Sequence, residues 1–169
     1  MSDERLAFFI TWTVYGTFLQ GDPRGWRKWK HGMQAPQPWL VPWHAARLKY
    51  PVLLLDDSRR QLVNAEILRF CEWRGWKLRA HDARTNHVHV VVQALGYSGS
   101  QVRDQLKANC TRVLREHSVI FHDRPVWTER GDWQCLNDVD DLEQAILYVS
   151  VAQDRKGREL PHPPSAGGR

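Results

Sequence analysis

His81-Asp82-Ala83-Arg84-Thr85-Asn86-His87-Val88-His89-Val90-Val91-Val92-Gln93 is the stretch from which the rest of the chain can be ordered. Apart from His89, every residue from Val88 to Val92 is valine, the composition of a strand buried on both faces. Side chains on a strand alternate faces, so His87 and His89 project from the same side, roughly 7 Å apart along the strand. Two imidazoles so placed suit convergence on one metal ion. The plain alternative is a pair of histidines held in a sheet face by ordinary hydrogen bonds, although their β-branched neighbours offer no polar partner. The motif by itself leaves both open.

Outward from this strand, Trp76 to Arg84 reads as its hairpin partner, with Thr85-Asn86 as the turn. Residues 6 to 14 are apolar, aromatic and β-branched, a first strand that stops at Gly16. Ser58-Arg59-Arg60-Gln61 has the form of a capping box, and Val63, Ile67, Phe70 and Cys71 follow at helical spacing until Gly75. Ser100 is placed to cap a second helix with Val102, Leu106, Cys110 and Val113 as its buried stripe. Arg103, Lys107, Thr111 and Arg115 recur every fourth residue on another face of that helix, which reads either as a solvated basic face or as a surface for a DNA backbone. Pro125 to Leu136 is a strand region broken at Gly131, and Asn137 or Asp138 caps a last helix of about sixteen residues. The order β-α-β-β-α-β-α is an α+β, split βαβ pattern, an antiparallel sheet with helices on one face.

Residues 1–156 are expected to form one domain, and residues 157–169, rich in proline and glycine, a disordered tail. Residues 19–55 carry Gly21, Pro23, Gly25, Gly32, Pro36, Pro38, Pro42 and Pro51, too many breakers for a helix or strand of normal length, so they read as a long irregular insertion. Within it Arg24, Trp26, Arg27, Lys28 and Trp29 interleave cations with indoles, a pattern for stacking on unpaired bases while contacting phosphates; equally, the indoles could anchor a long loop. The formal net charge of +5 favours an anionic partner, nucleic acid before membrane. Cys71, Cys110 and Cys135 have no paired spacing for zinc or a disulfide framework and read as reduced and mostly buried. The acidic start lacks a signal-peptide pattern and no run approaches 18 apolar residues, so the expected compartment is the cytosol and no membrane partner is expected.

Two enzyme classes place His-hydrophobic-His on a strand. Histidine-triad nucleotide hydrolases need a third histidine two residues on, where this chain has Val91. Asn86-His87-Val88-His89-Val90-Val91-Val92 resembles instead the metal-binding strand of single-tyrosine HUH transposases, the insertion-sequence type and the REP-associated tyrosine transposases. Phe8 to Thr17, Val126-Trp127-Thr128, and Leu147-Tyr148-Val149 ahead of Gln153 match in the same order. The resemblance implies a ferredoxin-like core and a C-terminal helix carrying the nucleophile. It further implies single-stranded DNA, often hairpin-containing, as substrate, a 5′-phosphotyrosine intermediate, Mg²⁺ or Mn²⁺ as cofactor, no nucleotide cofactor, and commonly a homodimer.

Of the four tyrosines, Tyr148 is the one on a helix, about 110° from the centre of the stripe Leu142, Ala145, Ile146 and Val149, at the edge of the buried face. By resemblance it is the nucleophile, with His87 and His89 as ligands and Gln153 as a candidate third. The family's glutamine follows the tyrosine by four residues, whereas five separate Tyr148 from Gln153, about 140° on a regular helix. Either the helix is loosened, or it ends early, or another donor, Asp154 or water, completes the site. The competing reading is a domesticated relative that grips hairpins as a regulator without cutting.

Overall fold

The computed structural model describes residues 5–17, 26–28 and 32–151, with residues 26–28, 32 and 33 described by their backbone alone. In chain order the elements are β1 (Ala7–Thr13), β2 (Trp26–Lys28), β3 (Gly32–Gln34), α1 (Leu40–Ala45), α2 (Asp57–Arg74), β4 (Lys77–Ala83), β5 (His87–Gln93), α3 (Gly99–His117), a 3-10 turn (Val119–Phe121), β6 (Asp132–Leu136) and α4 (Val139–Ser150). Leaving aside the short β2–β3 ribbon and α1, this is the expected β-α-β-β-α-β-α order. The tail expected at 157–169 lies outside the described residues.

β5 sits inside a four-stranded antiparallel sheet of order β4-β5-β1-β6. The alternation anticipated for β5 divides its residues between two layers. Val88, Val90 and Val92 are fully buried together with Phe8, Ile10 and Trp12 of β1 and Val14 just after it, against Val63, Ile67 and Phe70 of α2 and Val102, Leu106 and Cys110 of α3. Each such side chain contributes about 1.5–3 kcal/mol by leaving water, so this layer is the main source of stability. On the opposite face a smaller cluster joins Ala7, Phe9, Ala80, Val91 and Leu136 to Ala145 and Val149 of α4. The two crossover helices thus share one face and the C-terminal helix takes the other.

Helix starts differ from expectation by two residues in two cases, each for the same reason. The carboxylate of Asp56, not the Ser58 hydroxyl, accepts from the Arg59 amide at 2.9 Å and caps α2; Ser98, not Ser100, caps α3 in a reciprocal box with Gln101. In both, an earlier oxygen already meets the third helical N–H, so the helix begins sooner. Asp138 caps α4, accepting from Asp141 at 2.8 Å. Pro42, read as a breaker, lies in the first turn of α1, where a missing N–H costs nothing. The insertion returns beside the end of β1 because Gly16, at φ +81°, has no Cβ: one placed there would meet Val52 at 2.8 Å and Leu48 at 2.9 Å. Cys71 and Cys110 are buried thiols, and burial pushes the Cys71 pKa up to about 12. No helix among the described residues is long and apolar enough to cross a membrane.

Candidate active site

The face of β5 that the core does not take carries His87, His89 and Val91. Register places Thr13 of β1 opposite His87 and Thr11 opposite His89, so the two threonines line the same face. The Thr11 hydroxyl lies 2.8 Å from Nδ1 of His89, and Nδ1 of His87 donates to Oδ1 of Asn86 at 2.6 Å. With both Nδ1 atoms held by neighbours, Nε2 is the nitrogen that each ring would offer a metal, the usual arrangement for an oriented histidine ligand. The ring centres are 4.6 Å apart. His89 is buried at 6% exposure and stacks on Phe9 at 5.4 Å between centres.

α4 brings Tyr148 to this face. Ala145 and Val149 are the buried positions that fix the helix against the sheet, and Tyr148 stands half-buried at the rim of their cluster. Its ring centre is 5.4 Å from that of His89 and 6.0 Å from that of Phe9, edge-on to both. The tyrosine, read from periodicity as an edge residue, is therefore at the edge, and the edge faces the histidines.

Among the described residues no three of His, Cys, Asp and Glu gather as a metal site. Two imidazoles offering Nε2 would suit Mn²⁺ better than the oxygen-preferring Mg²⁺, and an oxygen donor would have to complete either set. Gln153, the nominated third ligand, lies outside the described residues. α4 ends at Ser150, shorter than expected, and Val151 leaves helical geometry at φ −126°, ψ −43° while its N–H still bonds Leu147 O at 2.9 Å.

The basic row of α3 is partly covered: Arg103, Lys107 and Thr111 are half-buried, while Arg115 is exposed. α3 packs on the core side of the sheet, away from the histidine face. Arg103 donates to Gly131 O at 3.2 Å and pairs with Asp104 at 2.8 Å, its side chain only 11% exposed. Lys107 Nζ donates to Thr128 O at 2.9 Å and also to Arg130 O; burial, then the Arg103 charge, lower its pKa to about 8. Arg115 donates to Phe121 O at 3.0 Å and Arg124 O at 3.2 Å. Loop segments after α3 leave carbonyls without ladder partners, and these long cations meet them. Trp26, Arg27 and Lys28 form β2, opposite Gln34, Met33 and Gly32 of β3; Arg24 and Trp29 lie outside the described residues. Sequence reasoning missed Thr11 and Asn86 as holders of the rings; the alternation of threonine with aromatic residues in β1 was the available signal for Thr11.

Fold and site together define an α+β, ferredoxin-like antiparallel sheet with a histidine pair on one face and a tyrosine helix lying over it. No protein-family model and no curated protein matches the chain. A solved structure does: a REP-associated tyrosine transposase bound to a REP hairpin, similar over 89% of this chain and 68% of that one, with a TM-score of 0.51 at 12% sequence identity. At that identity the likeness shows the fold.

Proposed function

We propose that this chain cuts and rejoins single-stranded DNA, with Tyr148 as nucleophile and His87 and His89 as ligands of Mg²⁺ or Mn²⁺, as in DNA transposition. The observation that carries this reading is Tyr148 standing edge-on to His89, on the one sheet face to which both histidines project. Tyr148 Oη attacks phosphorus, forms a P–O bond and expels the 3′-oxygen, which takes up a proton; the 5′-phosphotyrosine conserves the bond energy, so rejoining by a 3′-hydroxyl needs no nucleotide cofactor. A tyrosine hydroxyl, ordinarily titrating near pH 10, is a weak nucleophile at neutral pH. A cation held through the two Nε2 atoms would supply polarisation of the scissile phosphate. Thr11 and Asn86 fix the rings that would hold it, and Gln153 remains the nominated oxygen donor.

The fold shared with a protein captured on a REP hairpin supports a hairpin-containing strand as substrate, and the family resemblance extends the reading to a homodimer. Arg24, Trp26, Arg27, Lys28 and Trp29 are the strand-contacting residues of this reading. Incubation with labelled hairpin oligonucleotides tests it on a denaturing gel. The parent forms a covalent protein–DNA band that requires Mg²⁺ or Mn²⁺; Tyr148→Phe forms none while binding DNA as before; Gln153→Ala slows the reaction mainly at limiting metal. An adduct from Tyr148→Phe places the nucleophile elsewhere. Hairpin binding by the parent with no adduct under any metal leaves a non-cutting regulator.

A further inference from the structure

α1 is a six-residue helix with no buried residue. Isolated helices of this length do not hold themselves in water, yet the segment following it is fastened to the body by a costly device. Arg124 is 8% exposed, its Nε has no hydrogen-bond partner, and among the described residues no carboxylate pairs with it. Its guanidinium lies 5.6 Å from the ring centres of both Tyr15 and Tyr50 and donates to Pro51 O at 2.5 Å. The Lys49 amide donates to Tyr15 Oη at 3.1 Å. Burying an arginine without a counter-charge is unfavourable; the anchor holds Pro51, from which the chain runs on to Leu53 and Leu55 at the core. On its other side it fixes the end of the segment that carries α1, whose own side chains stay out of the core.

That surface carries Trp39, 70% exposed, and Trp43, 50% exposed, one helical turn apart. Arg47, a further turn on, lies with its guanidinium 3.4 Å from the Trp43 ring centre and donates to Trp43 O at 3.0 Å. Lys49 lies 5.4 Å from the Tyr50 ring centre. Two exposed indoles followed by two cations, on a chain of net charge +5, complement a strand whose bases are unpaired and whose backbone is anionic. The anchor sits at the end of the sheet where Thr13 faces His87, since Tyr15 follows Thr13 by two residues and Val14 N bonds Asn86 O at 2.8 Å. The geometry points to Trp39, Trp43 and Arg47 as a base-stacking platform that holds an unpaired DNA segment at the histidine end of the sheet. This rests on the reading of single-stranded DNA as the substrate but not on cutting.

Equilibrium binding in EDTA, where no cleavage intervenes, tests the platform with labelled oligodeoxythymidylate, the same strand carrying abasic sites, and a duplex. Trp43→Ala weakens binding of the intact strand by roughly tenfold or more, and Trp39→Ala by a similar factor; duplex binding is unchanged. The parent loses the same factor on the abasic strand, and Trp43→Ala loses little more. Trp43→Phe falls between, and with the abasic strand on the parent it decides the matter should Trp43→Ala misfold. Equal loss for duplex and single strand, or none for either, overturns the platform. So does unaltered DNA affinity with dissociation of a dimer in sedimentation, which would make this face a contact with a second copy. Strand binding through Trp39 and Trp43 without a Tyr148 adduct would sink the nuclease reading and leave the platform standing; an adduct with strand affinity indifferent to both indoles would do the reverse.

Discussion

The two faces of the sheet are built from the same strands and closed in different ways. Toward α2 and α3, β1 and β5 present Phe8, Ile10, Trp12, Val88, Val90 and Val92, each at most 2% exposed. Toward α4 the same strands present Thr11, Thr13, His87 and His89 beside a cluster of, among the described residues, seven buried hydrophobic ones. One face removes apolar area from water; the other keeps polar side chains in register and covers them with a single helix. The difference teaches how a strand with a period of two can serve stability and chemistry at once, since a side chain on one face need not compromise with its neighbour on the other. It also places the candidate ligands His87 and His89 where the sheet can hold them rigidly.

If that division holds, truncation on the packed face should cost stability alone. Ile10→Ala is expected to lower unfolding free energy by about 2–5 kcal/mol, read by urea denaturation, while the folded fraction keeps its cleavage rate. On the other face His87→Ala should slow metal-dependent cleavage by roughly a hundredfold or more with a nearly unchanged urea midpoint. A large stability loss there would mean that the histidines are packing residues and the division fails. Thr11→Val sharpens the comparison, because it removes only the group that orients His89. Apparent metal affinity should fall roughly ten- to a hundredfold, seen as a shift in the Mn²⁺ dependence of the rate.

The smallest effect concerns Lys107, which belongs with the packed side. Lys107→Met should lower stability by about 1–2 kcal/mol through the carbonyls of Thr128 and Arg130 and leave the salt dependence of DNA binding as it was. A flatter salt slope would return Lys107 to the DNA surface. Its pKa is lowered to about 8 in the folded chain against 10.5 when unfolded. The unfolded state therefore binds more protons between those values, and stability of the parent relative to Lys107→Met should rise as pH climbs from about 8 toward 10.5.

The layer structure was legible in the chain because its signal is local. Alternation in β5 assigned its faces, and the stripes of α2 and α3 gave their buried sides. Where local signals compete, as with Asp56 against Ser58 or Ser98 against Ser100, spacing alone misplaced the cap. The carbonyl partners of Arg103, Lys107 and Arg115 were hidden for a deeper reason: a cation every fourth residue looks the same whether water, a phosphate or a carbonyl lies opposite.

By itself, then, the sequence determined that His87 and His89 share a face, that Tyr148 borders a buried stripe, and that the elements follow in β-α-β-β-α-β-α order, all consequences of backbone periodicity. Only the tertiary structure decided that α4 covers the histidine face, that Thr11 holds the His89 imidazole, and that Arg103 and Lys107 turn to the carbonyls of the loop before β6. These depend on contacts between residues far apart in the chain, where register and packing, and no local pattern, choose the partner.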